Sequence, residues 1–417
     1  MQLRFYGGAQ EIGRSAILLK DDRSILFDFG VKLDHKMEFP VGSPKADALI
    51  LSHAHLDHSG FSPGLYDENF IPAFGTQPTL KLSNLLLDDS LGIAKKQRVK
   101  PQFSKRQIKE FVNRYISMDY HHATHFGNYD IEFFDAGHIA GSSISLVERA
   151  QAKDYKRIVY TGDFKLSPQL LHKGAEIVKS DVLIIESTYA TREHQDRKKV
   201  VKDFIDGIKR VVNNGGTALI PAFAVGRSQE LLALLYQHDL AQYTFFDGMA
   251  REATQIVLNN PSYVNNYDLL SKAARNVNWV SDRDERKEAV NGPSIILTTG
   301  GMLHGGPVLD YITKLNQNSE IFLTGYQQDD SNGKMLLDTG SIFIQGVKHK
   351  IDLPVSFNDF SAHAGMSDLF EYVKKSEPQA VVCVHGDEQN TISLATALKE
   401  EGFAAYAPKI GDSIKFD

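Results

Sequence analysis

The segment His53-Ala54-His55-Leu56-Asp57-His58 constrains this chain more than any other. It follows a short apolar run at 47–52 that reads as a buried strand. Side chains alternate in an extended segment, so His53 and His55 share one side. Asp57 and His58 enter the following turn and point toward a second position. Imidazole nitrogens and carboxylate oxygens are the usual donors to borderline divalent metals such as zinc. Given the 15 histidines of the chain, chance occurrence of the pattern is on the order of one in a thousand. The bland alternative is a solvated polar turn with hydrogen-bonded histidines.

Four residues do not complete two metal sites, and other strand ends supply further donors. His138 follows the strand-like run 131–135, Asp163 ends 158–163, and His385 ends 381–385. A lone His or Asp at a strand end is more often hydrogen-bonded structure than a ligand. Beside the cluster at 53–58, all three read as ligands. The single cysteine, Cys383, excludes an intrachain disulfide, cysteine-rich zinc fingers and iron–sulfur clusters. It fits a reducing cytoplasm, and mid-strand it reads as a small buried hydrophobe. No apolar run approaches the roughly 18 residues of a membrane span. The first residues, Met1-Gln2-Leu3-Arg4-Phe5, lack the basic and apolar regions of a signal peptide. The expectation is a cytoplasmic protein without membrane contact.

A length of 417 residues suggests two or three domains. Short β runs with Gly and Asp turns fill the first 60 residues, including a hairpin of 15–20 with 24–28. Residues 78–92 and 104–116 read as helices, the second opened by a capping box of Ser104 and Gln107. From about 191 to 325 strands alternate with helices, which predicts a second α/β unit with a largely parallel sheet. After 355 one more strand (380–384) and one helix (389–401) are expected. Roughly 60 residues are too few for a comfortable third domain. The expected division is therefore 1–190 and 356–417 as one domain, with 191–355 inserted.

His53-x-His55-x-Asp57-His58, His138, Asp163 and the strand-end Asp28 resemble the metallo-β-lactamase-fold hydrolases. Glu186 in Leu183-Ile184-Ile185-Glu186-Ser187-Thr188-Tyr189, His363 in Ser361-Ala362-His363-Ala364, and the late His385 narrow the resemblance to the β-CASP nucleases. The segment 221–230, with Gly226-Arg227-Ser228-Gln229-Glu230, is similar to the cap segment of the catalytic subunits of cleavage and polyadenylation specificity factors. The chain looks like their archaeal or bacterial form without KH domains. The resemblance implies an α/β fold: a metallo-β-lactamase αββα sandwich with an inserted β-CASP α/β cap. It implies that His53, His55 and His138 hold one metal, that Asp57, His58 and His385 hold another, and that Asp163 bridges them. Asp28 would orient the histidine loop from outside the ligand set. Two zinc ions are implied, and the sulfur-free donors also suit manganese.

The activity implied is hydrolysis of single-stranded RNA, leaving a 3′-hydroxyl and a 5′-phosphate, with zinc-activated hydroxide as nucleophile. Asp57, His363 and Glu186 are the implied catalytic residues, His363 as general acid held in its cationic form by Glu186. Histidine at 385, where the DNA-repair branch carries valine, points to RNA. Endonuclease and 5′-exonuclease action both stay open. Two rivals remain: an ester or thioester hydrolase of small molecules on the same metals, and a non-catalytic scaffold. The scaffold is disfavoured because such partners lose ligands, whereas all seven are kept here. A homodimer rests on resemblance only. Arg227 and Ser228 at a helix start, and Lys334 in Ser331-Asn332-Gly333-Lys334, are candidate phosphate contacts. His121, His122 and His125 have metal-like spacing but match no motif and read as surface or core residues. The net charge of −6 excludes a globally basic binder. A local basic window remains at 95–114, with eight basic residues and one acid, Glu110. It could steer an RNA backbone or serve only as a solvated helix face.

Overall fold

The structure is a computed structural model that describes residues 1–33, 37–67 and 70–416. The chain divides into two compact units: 1–168, 172–193 and 363–417 form the first, 169–171 and 194–362 the second.

The first unit is built on two seven-stranded sheets. One runs in the order Ser413–Lys415, Gln2–Gly7, Ala16–Lys20, Ser24–Phe27, Ala48–Ile50, Ala73–Gly75, Tyr115–Ser117. The other runs Ala404–Tyr406, Ala380–Val384, Val182–Glu186, Arg157–Tyr160, Ser143–Arg149, Tyr129–Asp135, Thr124–Phe126. The period-two alternation of each strand decides the layers. Ile17, Leu19, Ile25 and Phe27 of the first sheet meet Ile131, Val147, Ile158 and Ile184 of the second in one buried core. Their neighbours Leu18, Leu26 and Leu49 point outward and are covered by Leu87, Ile108 and Phe111 from helices Gln77–Gln97 and Lys105–Asn113. On the far side, Leu146, Leu183, Val381 and Cys383 pack under Leu369, Tyr372 and Leu394 of helices Met366–Ser376 and Glu388–Glu400. Burying both faces of both sheets gives four layers, αββα.

Two local expectations are corrected. The helix read at 104–116 stops at Asn113, and Tyr115–Ser117 is a strand parallel to Ala73–Gly75. Tertiary pairing overrides the local pattern there. The last 60 residues hold helix Met366–Ser376 and strands Ala404–Tyr406 and Ser413–Lys415 in addition to the two elements expected. The last of these strands pairs with Gln2–Gly7.

The second unit carries a six-stranded sheet whose pairings are all parallel, in the order Asn278–Trp279, Thr244–Asp247, Ser294–Thr299, Thr217–Ala222, Glu320–Leu323, Val355–Phe357. Helix Arg197–Asn213 leads into its first strand in sequence, Thr217–Ala222, and helix Arg227–Gln237 joins that strand to Thr244–Asp247. Among the described residues no helix is long and apolar enough to cross a membrane.

Candidate metal centre

The histidine segment leaves the end of strand Ala48–Ile50 and is held from behind. Ser15 N donates to Asp57 O at 2.9 Å, Phe29 N to His58 O at 2.8 Å and Val31 N to Leu56 O at 2.9 Å. That close approach requires glycine at position 30, where a Cβ would lie 1.8 Å from Asp57 O. A second glycine, Gly162 with φ of +53°, turns the chain just before Asp163 and leaves no room for a Cβ beside Ser52.

Asp28 anchors the segment from a left-handed backbone conformation, φ +57°, which is costly for a non-glycine residue. Its buried carboxylate accepts from Ser52 N (2.8 Å), Ser52 Oγ (2.7 Å) and Tyr160 Oη (2.7 Å), and lies 2.6 Å from His58 Nδ1. Fixing Nδ1 this way aims Nε2 of His58 into the cluster, as outer carboxylates commonly do for ligand histidines. Asp28→Asn is expected to weaken zinc affinity about 10–100-fold, measured by titration against a chromogenic chelator. Unchanged affinity would remove Asp28 from this role.

Two groups of donors face each other across Asp163. His53, His55, His138 and Asp163 place one donor atom each within 4.8 Å of one another, and so do Asp57, His58, Asp163 and His385. Asp163 Oδ2 lies 3.5 Å from His53 Nε2 and 3.9 Å from His138 Nε2. Its Oδ1 lies 3.2 Å from both His58 Nε2 and His385 Nδ1. His55 Nδ1 is 3.2 Å from His53 Nε2 and 3.1 Å from His138 Nε2.

The residues fit divalent cations. Asp163 Oδ1 and His385 Nδ1 are buried without a hydrogen bond among the described residues, although they are only 3.2 Å apart. Buried polar atoms seldom stay unsatisfied, and these converge on a common point. Burial, then the neighbouring His58, pushes His53 well below its ordinary pKa, so its ring is neutral as a ligand must be. Burial disfavours the Asp163 carboxylate, but His385 and His58 prevail and hold it well below the usual range. Asp57 is also lowered, burial being overcome by a hydrogen bond from His385 and by the charge of His58. Two carboxylates ringed by imidazoles, with no sulfur, suit zinc or manganese.

A third group, Asp163, Glu186 and His363, adjoins these two. Glu186 ends strand Val182–Glu186 and is 1% exposed. It accepts from Phe164 N (2.8 Å) and Thr188 Oγ1 (2.6 Å), and its Oε2 is 3.0 Å from His363 Nδ1. Burial alone would lower the pKa of His363, but Glu186 and Asp163 outweigh it and raise the value to about 9. Lys165 donates to the carbonyl of His363 at 2.9 Å and so ties down that loop.

Not every candidate joins the cluster. Arg227 and Ser228 open helix Arg227–Gln237 of the second unit. Ser228 does not reach the surface: it is fully buried and its hydroxyl donates to Phe223 O at 2.7 Å. Lys334 pairs with Asp338 at 3.0 Å. His121, His122 and His125 are exposed and engage Glu176, Tyr120 O and Asp130. Cys383 is buried, and burial raises its thiol pKa. Sequence reading passed over Ser52, Tyr160 and Lys165. Ser52 directly precedes His53, and that adjacency is the one signal that pointed to it.

A four-layer sandwich that presents such a cluster at strand ends defines a metal-dependent hydrolase of the metallo-β-lactamase fold. Residues 228–336 match the Beta-Casp domain, 348–408 the Zn-dependent metallo-hydrolase RNA specificity domain, and 8–196 the anti-Pycsar protein Apyc1. A probable RNase, MJ4, of Methanocaldococcus jannaschii is 39% identical over 100% of both chains. RNase aCSPSF2 of Saccharolobus solfataricus is 36% identical, covering 99% of this chain and 85% of its own. Transcription termination factor FttA of Methanothermobacter thermautotrophicus is 32% identical over 95% of this chain and 69% of its own. A crystal structure of a protein of unknown function from Enterococcus faecalis shares the fold, with a TM-score of 0.65, 16% identity and 99% coverage of both chains. The chain belongs to the β-CASP family of metallo-β-lactamase-fold ribonucleases.

Proposed function

We propose that the chain hydrolyses phosphodiester bonds of single-stranded RNA at a centre of two zinc ions. His53, His55 and His138 would hold one ion, Asp57, His58 and His385 would hold the other, and Asp163 belongs to both donor sets. The observation that carries this reading is the pair of donor groups sharing Asp163, with His363 and Glu186 against the same carboxylate. Cations bound there supply an acidified water and positive charge beside the phosphoryl oxygens. The protein's own groups do the rest. Glu186 holds Nδ1 of His363, leaving Nε2 to give its proton to the departing 3′-oxygen. Lys165 keeps the His363 loop in place, and Asp28 keeps His58 aimed inward. The products are a 3′-hydroxyl and a 5′-phosphate.

The test compares circular RNA with linear RNA carrying a 5′-monophosphate or a 5′-triphosphate. Opening of the circle shows endonuclease action, and loss only from monophosphate ends shows 5′-exonuclease action. No RNA cleavage by metal-loaded protein that hydrolyses thioesters would overturn the proposal. Chelation is expected to abolish cleavage, and added zinc or manganese to restore it, read on the same substrates.

A further inference from the structure

A second feature of the first unit lies away from the metal centre. Helix Gln77–Gln97 starts beside it: Thr76 Oγ1, at its N-cap, donates to Gly141 O at 2.6 Å, three residues from His138. Lys95 is 19 residues further on, about 28 Å along the helix axis. Around the far end lies an exposed basic tract. Lys95, Lys96, Arg98, Lys100, Lys105 and Lys109 are all exposed and form no ion pair among the described residues. They stand on the end of that helix, on the loop after it, and on helix Lys105–Asn113, which packs against the first helix and against Ser62–Tyr66. Helix Lys105–Asn113 turns Ile108 and Phe111 into the core and its charges outward.

An aromatic ring accompanies the charges. Phe70 is 63% exposed, the most exposed large hydrophobic among the described residues. The guanidinium of Arg114 lies 4.6 Å from its ring centroid. Nearby, Arg106 pairs with Asp67 at 3.0 Å. Exposed cations on a helix whose C-cap, Arg114, lies against an exposed aromatic ring are a combination that grips a single-stranded nucleic acid without reading its sequence: cations track phosphates while bases stack on the ring. An acidic protein would use the charges but has no need of the ring.

We infer that this surface is a second RNA-binding site, which holds the backbone of a long single strand while another part of it lies at the metals. The inference rests on the proposed ribonuclease activity and adds to it a preference for long substrates. The tract would raise affinity through a linked second contact rather than through the reaction itself.

The test uses metal-loaded protein and 2′-O-methyl RNA, long and unstructured or of about 4 nucleotides, near the smallest single-strand site size. Binding is followed by fluorescence anisotropy across a salt series. In the variant K95Q/K96Q/K105Q/K109Q, the log–log salt slope for the long RNA is expected to flatten by about 0.7 per lost contact, about 3 in all. Phe70→Ala is expected to weaken long-RNA binding about tenfold. The wild-type preference for the long RNA over the short one should shrink in both variants. Melting curves matching wild type exclude misfolding, and all five positions are exposed. An unchanged slope or an equal loss for both RNA lengths overturns the inference. Wild-type protein that neither binds nor cleaves any RNA would instead refute the proposed function.

Discussion

Replacing His363 by alanine is expected to lower kcat for RNA cleavage by about 10²–10⁴-fold, the usual contribution of a positioned general acid, while the bound metal content stays at the wild-type value. The two readouts separate because His363 is absent from both four-residue donor groups but sits against their shared carboxylate, with Nδ1 4.0 Å from Asp163 Oδ2 and 3.0 Å from Glu186 Oε2. Its side chain is 22% exposed, whereas that of His53 is fully buried. A proton donor must reach substrate, and a structural ligand need not. Glu186 supplies a companion test in pH. Burial lowers the pKa of His363, but the negative charge of Glu186, then that of Asp163, then the Glu186 hydrogen bond raise it to about 9. A general acid works while protonated, so the rate should fall once pH is high enough to deprotonate His363. Glu186→Gln removes the charge, and the alkaline limb of kcat/KM should move to lower pH. Full activity in His363→Ala, or an unmoved limb in Glu186→Gln, would assign proton delivery elsewhere.

How much of this was legible depends on how local each feature is. The run His53–His58 could be read because one extended segment and one turn fix its geometry with no help from the rest of the chain. His138, Asp163 and His385 were readable only as strand-end residues, since their convergence depends on strands far apart in sequence lying side by side. Val182–Glu186 and Ala380–Val384 pair in register although nearly 200 positions separate them. Ser52 and Tyr160 carry no such mark: what they do is meet Asp28, and only the packing of the two sheets brings Tyr160 there. The same limit explains the errors in secondary structure. Helix Met366–Ser376 hides its apolar face, Leu369, Tyr372 and Val373, among Ser367, Asp368, Glu371, Lys374 and Lys375. Tyr115–Ser117 continues an amphipathic helix pattern yet is a strand, because an open sheet edge lies beside it. Ser228 has the right residue type at a helix start, but burial withdraws it from any ligand.

The largest loss is expected from Asp163→Asn, which keeps the shape of the side chain and removes its charge. Activity should fall below that of His363→Ala, and metal content should fall with it, because this one carboxylate belongs to all three donor groups. The electrostatics give the direction. His58 is buried, which disfavours its charge, yet Asp163 and then Asp28 raise its pKa well above the ordinary value. A group raised in this way contributes stability below its unfolded pKa, near 6.5, and loses it as pH climbs through the folded value. Asp163 is depressed, so its share is present above the ordinary carboxylate range and lost in acid. In metal-free wild type the pair therefore supports the fold between those limits. Breaking a buried pair from one side costs about 3–5 kcal/mol, reduced here because Asp28 still faces His58. Metal-free Asp163→Asn should accordingly melt lower than metal-free wild type at neutral pH. The decisive comparison is the response to zinc. A ligand that binds only the folded state at a hundredfold excess over its Kd stabilises it by about 2.7 kcal/mol. Wild type should show a zinc-dependent rise in Tm on that scale, and Asp163→Asn should show little or none. If the variant instead binds two equivalents of zinc and gains the same Tm, Asp163 is not the shared ligand and the two donor groups act independently.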